Sequence, residues 1–168
     1  KISIDDFYKT REERKLLSKN KHPLLMTRGV PGTHDIDLIL KFFNKVKSKN
    51  FKVLEIPKFN KAIDDRCKKN VWHRLRSKPD VIIFEGWCVG AKPQSFKELK
   101  KPMNNLEKEE DTKLTWRKKV NNELKTNYKK IYNLLDKKIY LKVPNFKYVL
   151  KWRLLQEKKL RLKSKKKA

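Results

Sequence analysis

Two short apolar segments of this chain end directly in acidic residues. The run Lys1–Ile4 is followed by Asp5 and Asp6. The run Val81–Phe84, which comes after a Pro-Asp pair, is followed by Glu85. The second run is continuously apolar, which is typical of a strand in a parallel sheet that is covered by helices, and the first run resembles the end of a strand. Because ligands of such sheets bind beyond the carboxyl ends of the strands, we expect an α/β fold in which Asp5 and Glu85 share one functional edge.

The spacing of apolar residues alternates between helix and strand along the rest of the chain. Helical periodicity covers Ile36–Val46 and roughly residues 113–136, and a last helix is predicted from Phe146 onward. Short apolar runs predict strands at Phe51–Ile56 and Lys138–Val143, each stopped by a proline. Alternating helices and strands indicate an α/β sandwich.

The charged and polar segments are expected to lie outside this apolar framework. Residues 9–20 predict an exposed helix or loop. Residues 92–111, with two prolines and an Asn-Asn pair, predict a loop with at most short helical turns. Residues 161–168 have the composition of a basic tail. The length of 168 residues fits one compact domain, so we expect a single domain over residues 1–168.

The chain is strongly basic, with a formal net charge of +27 at pH 7. Such a charge attracts nucleic acid and other anions, so a basic nucleic-acid-binding α/β protein without catalysis is one possible function. The basic residues are spread along the whole chain, without the interleaved aromatic residues of an RNA-binding sheet. A compositional bias toward lysine explains this distribution better. We therefore expect no specific nucleic-acid partner.

Few residues are suited to a disulfide framework or a zinc site. The two cysteines, Cys67 and Cys88, do not form a CxxC pair. The three histidines, His22, His34 and His73, lack the spacing of zinc ligands.

The apolar runs are far shorter than the roughly 20 residues needed to cross a bilayer. We therefore expect a cytoplasmic protein with no membrane partner.

A glycine-containing turn leads into the first long helix. The turn Arg28–Thr33 contains two glycines and a proline, and Thr33 is predicted to cap the helix. The N-terminus of a helix attracts anions, so Arg28, His34 and Asp35 around this turn are candidate binding residues. The pattern by itself does not identify a ligand.

Each of these polar groups also has a purely structural interpretation. Asp5, Asp6 and Glu85 could serve only as caps of the helices that follow them. Asp65 and Arg66, within the sequence Asp-Asp-Arg, could form part of an ion pair that binds no ligand. Two strand ends that behave alike favour the functional interpretation for Asp5 and Glu85.

The same segments resemble a known family of kinases. The string Ser3-Ile4-Asp5-Asp6-Phe7-Tyr8 resembles the second-strand motif of the group that contains uridine kinase, phosphoribulokinase and pantothenate kinase. Further segments, in order along nearly the whole chain, resemble the bacterial relatives of D-glycerate 3-kinase: His22–Leu25, Thr27–Asp35, Pro57–Phe59, Lys61-Ala62, Asp64–Arg66, Phe84–Ala91, Asn105–Glu107, Trp116-Arg117, Val120-Asn121, Trp152-Arg153 and Gln156-Glu157.

The resemblance implies a three-layer P-loop NTPase-like fold with a parallel sheet flanked by helices. It also implies transfer of the γ-phosphoryl group of ATP to a small hydroxyl acceptor, with glycerate as the expected acceptor and Mg²⁺ as the metal. The family's phosphate-binding motif GxxxxGK[ST] is not among the 168 residues. We therefore expect a domain that is incomplete at both termini, with the motif upstream of Lys1, and a chain that is inactive by itself.

Matching positions imply roles for individual residues. Asp5 resembles the acid that accepts or orients the acceptor hydroxyl, and Glu85 resembles a second catalytic acid near magnesium and substrate. Arg117 resembles a basic lid residue over the ATP phosphates. We expect Asp5, Glu85 and Arg66 to face one cleft. The residues expected to bind the substrate are Asp6, Tyr8, Arg28, His34, Asp35, Asp65 and Arg66.

Overall fold

The computed structural model of the protein describes residues 1–49 and 51–165. The chain forms two compact units, Lys1–Asp136 and Lys137–Ala168, called unit 1 and unit 2 below. Of the expected basic tail, residues 161–165 belong to a helix, and residues 166–168 lie outside the described residues. Within the described part of the chain, no helix has both the length and the apolar character to cross a membrane.

Short strands and helices follow one another along the chain. The strands are β1 Ile2–Ser3, β2 Leu54–Ile56, β3 Phe59–Asn60, β4 Asp65–Arg66, β5 His73–Leu75 and β6 Phe84–Glu85. The α-helices are α1 Arg11–Asn20, α2 Ile36–Lys47, α3 Phe96–Lys100, α4 Asn105–Glu110, α5 Thr115–Glu123, α6 Lys129–Tyr132 and α7 Phe146–Lys165. Three 3₁₀ turns, Ile4–Phe7, Pro23–Met26 and Lys69–Val71, and a π-helical turn, Leu124–Tyr128, complete the regular structure of the described residues. The predicted α/β class is confirmed.

Strands β1 and β6 form a parallel pair. Ile2 lies opposite Phe84, and Ser3 lies opposite Glu85. The two segments that precede the predicted catalytic acids Asp5 and Glu85 are therefore direct neighbours, as the sequence predicts. This pair puts the carboxyl ends of both strands at the same edge.

The apolar run before β6 is not the buried strand that the sequence predicts. Val81 and Ile83 are 79% and 63% exposed, and the strand includes only Phe84–Glu85. Because β1 offers two residues for pairing, the ladder does not extend back to Val81. Ile82 alone of the first three residues of the run packs against the core.

Two further strand pairs lie between α2 and β6, and both are antiparallel. β2 pairs with β5, with Leu54 opposite Leu75. β3 pairs with β4, with Phe59 opposite Arg66. The strand predicted at Phe51–Ile56 is present over its last three residues as β2. Apolar patterning predicted neither β4 nor β5, because both are short and polar.

The core of unit 1 forms where α2 packs against β2, α6 and the 3₁₀ turn after β1. Phe7 in that turn meets the edge of the Phe42 ring, with the centroids 5.7 Å apart. Phe43 and Phe84 make a similar edge contact at 5.2 Å. The turn that carries Asp5 is thus anchored in the core. The buried residues of this core are Ile2, Ile4, Phe7, Ile39, Phe42, Phe43, Leu54, Cys88, Tyr128, Ile131 and Tyr132.

The helix predicted over roughly residues 113–136 is shorter and is interrupted. It begins at Thr115 and ends at Tyr132, with the π-helical turn between α5 and α6. The predicted apolar stripe is confirmed at Tyr128 and Ile131, which are fully buried. Turns of π-helix are rare and occur frequently at functional sites. The π-helical turn of this chain ends at the buried residue Tyr128.

The helix α2 has a different N-cap from the one predicted. The side chain of Asp35 caps it by accepting the Leu38 N–H over 3.0 Å. Thr33 closes the preceding turn instead, because its hydroxyl accepts the Gly29 N–H and donates to the Val30 carbonyl. The hydroxyl of Thr33, three residues before the helix starts, is therefore already used within the turn.

The strand predicted at Lys138–Val143 in unit 2 is absent from the structure. This segment is irregular, and its residues Ile139, Tyr140 and Leu141 are exposed. A strand needs a partner, and none of the described strands pairs with this segment. The helix predicted from Phe146 is confirmed as α7.

Candidate active site

A tight 3₁₀ turn after β1 positions Asp5. The first and last residues of this turn, Ile4 and Phe7, are fully buried. The side chain of Ser3 caps the turn by accepting the Asp5 N–H over 3.3 Å. Asp5 and Asp6 lie between the two buried anchors and stay half-buried. Their carboxylates are thus fixed at the strand end and remain accessible.

The carboxylate of Asp5 receives two donors. Its Oδ1 accepts a hydrogen bond from the Tyr8 hydroxyl over 3.0 Å. Its Oδ2 lies 2.7 Å from the ammonium of Lys61, an exposed side chain in the turn between β3 and β4. Burial, together with the charge of Asp5, raises the pKa of Tyr8, so its hydroxyl keeps the proton that it donates.

The ring of Tyr8 is stacked on the ring of His34. The centroids are 4.3 Å apart with an interplanar angle of 21°, and the two residues also form an isolated antiparallel bridge. Burial lowers the pKa of His34 to about 4; the charge of Asp5 opposes this shift, and that of Lys9 adds to it. At neutral pH the imidazole of His34 is therefore uncharged.

Tyr128 contacts the edge of the His34 ring. Its hydroxyl lies 2.5 Å from Nδ1 of His34 and accepts the Gly32 N–H over 3.1 Å. Among the described residues, Nε2 of His34 has no hydrogen-bond partner. We call Asp5, Tyr8, His34, Lys61 and Tyr128 the Asp5 cluster.

Glu85 ends the neighbouring strand β6. Its side chain is 42% exposed, and its carboxylate lies 3.5 Å from the ammonium of Lys1. The next residue, Gly86, allows the chain to pass close to the Asp5 turn, because a Cβ at this position would lie 2.3 Å from Cγ2 of Ile4. The pair Glu-Gly after the strand thus has a packing reason as well as a chemical one.

Asp6 faces different neighbours from Asp5. Its Oδ1 accepts the Phe59 N–H over 3.2 Å. Burial raises the pKa of Asp6, the Phe59 N–H opposes this shift, and the charge of Asp5 adds to it. Asp6 also lines a surface cavity of about 570 Å³, together with Lys58, Trp72 and other residues of the β2–β5 region.

Asp35 and Arg66 form an ion pair next to the start of α2. One nitrogen of Arg66 donates to Asp35 over 2.7 Å and the other donates to Glu13 over 3.2 Å. Burial raises the pKa of Asp35, but the hydrogen bonds from Arg66 and from the Leu38 N–H together lower it by a larger amount. The pKa of Asp35 is therefore below its usual value. The structure brings these two predicted substrate ligands together and pairs them with each other.

Asp64 joins two arginines in the turn between β3 and β4. It accepts hydrogen bonds from Arg14, which is fully buried, and from the predicted ligand Arg28. Burial raises the pKa of Asp64, but the two guanidinium groups lower it by a larger amount. The pKa of Asp64 is therefore below its usual value. The guanidinium groups of both arginines also lie over the Phe59 ring, 5.8 and 5.6 Å from its centroid. Asp64 has a positive φ of 55°, a conformation that this network of contacts stabilises.

The carboxylate of Asp65 is used within the protein. Its Oδ1 accepts the Arg11 N–H over 2.9 Å and the Arg66 N–H over 2.7 Å. These bonds tie the start of α1 to β4. The structural interpretation of the Asp-Asp-Arg sequence therefore accounts for the observed contacts of Asp65.

Arg117 lies in a separate buried network. Its Nε donates to Asp111 Oδ2 and its Nη2 to the Asp111 carbonyl, both over 2.9 Å. Its Nη1 donates to the Leu99 carbonyl over 3.0 Å. This side chain connects α5 to α3, and contact with ATP phosphates would require it to leave Asp111. The lid role stays a prediction, and the observed contacts are structural.

Phe59 links the Asp5 cluster to the ion pairs. Its ring meets the edge of the Tyr8 ring at 5.3 Å, and it lies opposite Arg66 in the β3–β4 pair. The predicted residues of unit 1 other than Arg117 therefore form adjoining groups. The common cleft expected for Asp5, Glu85 and Arg66 stays a prediction.

Sequence reasoning did not assign a site role to Lys61 or Tyr128. Lys61 is one of many lysines, and the one signal for it was the match of Lys61-Ala62 to the kinase family. Tyr128 matched the apolar stripe of a helix, and its ring is indeed buried. Its hydroxyl was the one available signal, because buried tyrosine hydroxyls usually have a polar partner.

The fit of a magnesium ion rests on Glu85. The described part of the chain contains no group of three or more His, Cys, Asp or Glu residues that could hold a metal. Magnesium usually keeps several waters and binds one or two carboxylates together with substrate phosphates. A partly exposed carboxylate at a strand end, as in Glu85, suits that kind of site.

Acids at the ends of two neighbouring parallel strands, with helices packed around them, define an α/β fold. The chain is similar to a solved D-glycerate 3-kinase from Cryptococcus neoformans var. grubii, with a TM-score of 0.79 and 26% sequence identity. The match covers 97% of this chain and 60% of that one. The predicted fold class is thus shown by a solved structure.

Curated relatives lead to the same group of enzymes. The chain is 32% identical over 173 residues to "Uncharacterized kinase mug58" of Schizosaccharomyces pombe, a match that covers 96% of this chain and 60% of the relative. It is also 32% identical over 166 residues to the chloroplastic D-glycerate 3-kinase of Arabidopsis thaliana. This match covers 93% of this chain and 34% of the relative. The homologues of this chain are therefore D-glycerate 3-kinase and related kinases.

The chain spans about 60% and 34% of the lengths of these two relatives. No protein-family model matches it. The relatives named here come from fungi and a plant, so the resemblance to bacterial members stays a prediction.

Proposed function

We propose that this chain carries the acceptor side of an ATP-dependent kinase that phosphorylates a hydroxyl group of D-glycerate. The observation that carries this proposal is the position of Asp5, in the turn that ends β1, beside the parallel strand that ends in Glu85. The names of the relatives support it, because all are kinases and two are D-glycerate 3-kinases. The same names do not favour the nucleic-acid-binding alternative.

Asp5 has the properties of a general base for this reaction. Its carboxylate would accept the proton of the acceptor hydroxyl while that oxygen bonds to the γ-phosphorus of ATP. The bond from this phosphorus to the β,γ-bridging oxygen breaks in the same step, and ADP leaves. Tyr8 and Lys61 hold the Asp5 carboxylate in place, which is the positioning that phosphoryl transfer requires.

D-glycerate also carries a carboxylate, and an anionic group needs neutral or positive donors. Lys61 is the exposed cation nearest to Asp5 among the described contacts of that residue. Arg28, which is partly exposed, lies over the Phe59 ring that Tyr8 also touches. We propose these two side chains as the cationic part of the acceptor site.

ATP is the proposed phosphoryl donor and Mg²⁺ the proposed metal. Glu85 is the carboxylate proposed to hold the metal, which would neutralise charge on the transferring group. A cytoplasmic location and the lack of a specific nucleic-acid partner are further parts of the proposal. Both rest on sequence composition.

The test uses the product of the complete reading frame, assayed with ATP, Mg²⁺ and D-glycerate. Asp5→Asn should lower turnover about 10²–10⁴-fold and change nucleotide affinity little, because asparagine keeps the size and loses the charge. Asp6→Asn is the matched control and should be milder, since Asp6 faces the Phe59 N–H. Equal turnover of Asp5→Asn and the parent enzyme would show that Asp5 is not the base. A parent enzyme that phosphorylates another hydroxyl compound but not D-glycerate would overturn the acceptor.

A further inference from the structure

The hydroxyl of Tyr128 has one proton and two neighbours. Gly32 approaches it with a backbone N–H, so the phenol oxygen is the acceptor in that bond. Burial raises the pKa of Tyr128 well above its ordinary value, so the hydroxyl stays protonated. Its proton is then available only for Nδ1 of His34. In this arrangement Nδ1 of His34 is an acceptor and carries no proton.

A neutral imidazole has one N–H group, and in His34 that group is therefore at Nε2. The residue is fully buried, and within the described part of the chain Nε2 has no partner. A buried donor without a partner destabilises the fold, so its retention calls for an explanation such as a functional role or a bound partner. Tyr8 links His34 to the proposed base, because its hydroxyl donates to Asp5 and its ring stacks on the His34 ring.

We propose that Tyr128 is a positioning residue that holds His34 in its neutral Nε2–H tautomer, so that Nε2–H donates a hydrogen bond to the carboxylate of the acceptor beside Asp5. This inference rests on the proposed function, because it takes the acceptor to be a hydroxy acid. Asp5 requires the hydroxyl end of such an acceptor. The carboxylate end requires hydrogen-bond donors, and the Nε2–H of His34 adds a neutral donor to the proposed cations Lys61 and Arg28.

A ligand reaches Nε2 only if a neighbouring side chain moves, since this nitrogen is buried. Within the Asp5 cluster, Lys61 is the exposed side chain, and its described contact is the ion pair with Asp5. Exposed ion pairs contribute little to stability, so the Lys61–Asp5 pair can rearrange when a ligand binds.

The chain offers a matched control for Tyr128. Tyr132 is also buried in the core, and its ring lies 6.1 Å from the Tyr128 ring. Its hydroxyl donates to the Cys88 carbonyl over 2.5 Å. The variant Tyr132→Phe thus removes a buried hydroxyl of the same helix without touching His34, and Tyr128→Phe removes the one that touches it.

The first measurement needs no ligand. Long-range ¹H–¹⁵N spectra of the histidine rings at pH 7 distinguish the two neutral tautomers in the 168-residue chain. We expect the Nε2–H form of His34 in the parent chain and in Tyr132→Phe, and a mixture of tautomers in Tyr128→Phe. An Nδ1–H tautomer in the parent chain, or no change in Tyr128→Phe, would overturn the inference whatever the chain binds.

The second measurement adds D-glycerate to the same samples, with glycerol, which lacks the carboxylate, as the control ligand. We expect D-glycerate to shift the His34 ring signals and glycerol to leave them unchanged. Loss of one buried hydrogen bond predicts about tenfold weaker D-glycerate binding for Tyr128→Phe and little change for Tyr132→Phe. Equal weakening in both variants would overturn the positioning role. Absence of D-glycerate binding to the parent chain, with the expected tautomers, would instead overturn the proposed acceptor.

Discussion

At the scale of single residues, burial decides what His34 contributes to the site. The ring lies between Tyr8 and Tyr128 and is fully removed from solvent. A surface histidine would be partly charged near neutral pH, whereas burial lowers the pKa of His34 to about 4. The side chain is therefore a fixed dipole with one acceptor and one donor, and the sequence gives no sign of this.

The first prediction concerns the pH dependence of stability. The folded-state pKa of His34 is about 4, below the ordinary 6.5, so the unfolded chain binds this proton first as the pH falls. The free energy of unfolding should decrease from pH 6.5 to pH 4 by up to about 3 kcal/mol. Urea unfolding at a series of pH values measures this change.

The control is His34→Asn, which keeps an acceptor near Nδ1 and does not titrate. It should flatten the slope between pH 6.5 and pH 4. Asp35 and Asp64 have lowered pKa values, so the stability that they contribute is lost only below about pH 4, in both proteins. An equal slope for the variant and the parent protein between pH 6.5 and pH 4 would show that His34 is not the titrating group.

At the scale of elements, buried ion pairs join segments that the apolar pattern alone does not connect. Arg14 of α1 donates to Asp64 in the β3–β4 turn and to the Met26 carbonyl. Arg117 of α5 joins that helix to α3. Several charged residues that were expected to bind ligands therefore have structural contacts, because folding brings oppositely charged side chains together over long sequence separations.

The second prediction concerns Arg117. The change Arg117→Ala should leave Asp111, which is almost fully buried, without its charged partner, and should lower the free energy of unfolding by about 3–5 kcal/mol. The exposed pair Arg153–Glu157 provides a control, and Arg153→Ala should change stability by less than about 1 kcal/mol. Chemical denaturation of both variants measures the difference. A loss for Arg117→Ala as small as that for Arg153→Ala would contradict the structural role of the Arg117 guanidinium.

At the scale of the whole molecule, charge and site chemistry have separate origins. The net charge of +27 comes from lysines spread over the sequence. The Asp5 cluster lies in unit 1, where all buried core residues also lie. An exposed positive charge produces a long-range field and does not by itself define a site.

The third prediction separates these two effects. The chain should bind duplex DNA at low salt through its overall charge, and the affinity should fall steeply as salt rises, with no preference between sequences. Fluorescence anisotropy with two unrelated duplexes, measured from 50 to 300 mM salt, tests this. The range is chosen around roughly physiological ionic strength. Binding that prefers one duplex and survives at the highest salt would favour the nucleic-acid alternative.

The sequence was sufficient for the features that depend on local chemistry. The acids after two apolar runs predicted the parallel neighbours β1 and β6, because strand ends in such folds carry the functional groups. The periodicity of Ile36–Val46 predicted α2. Of the polar segment 9–20, residues 11–20 form the helix α1, which is one of the two options expected; it is largely exposed, but its Arg14 is fully buried. The strand expected at Lys138–Val143 failed, because pairing is not encoded by the apolar pattern of one segment.

The sequence by itself determined that this chain belongs among α/β folds with an acid at each of two strand ends, and which residues, led by Asp5 and Glu85, stand there. Tertiary structure alone decided which charged groups are neutralised by one another, as in Asp35–Arg66, and which remain at the site. It also decided that Tyr128 contacts His34, although the two residues are 94 positions apart in the sequence. The physical reason is that burial and hydrogen bonding depend on distances in space, and residues so far apart in sequence acquire those distances only when the chain folds.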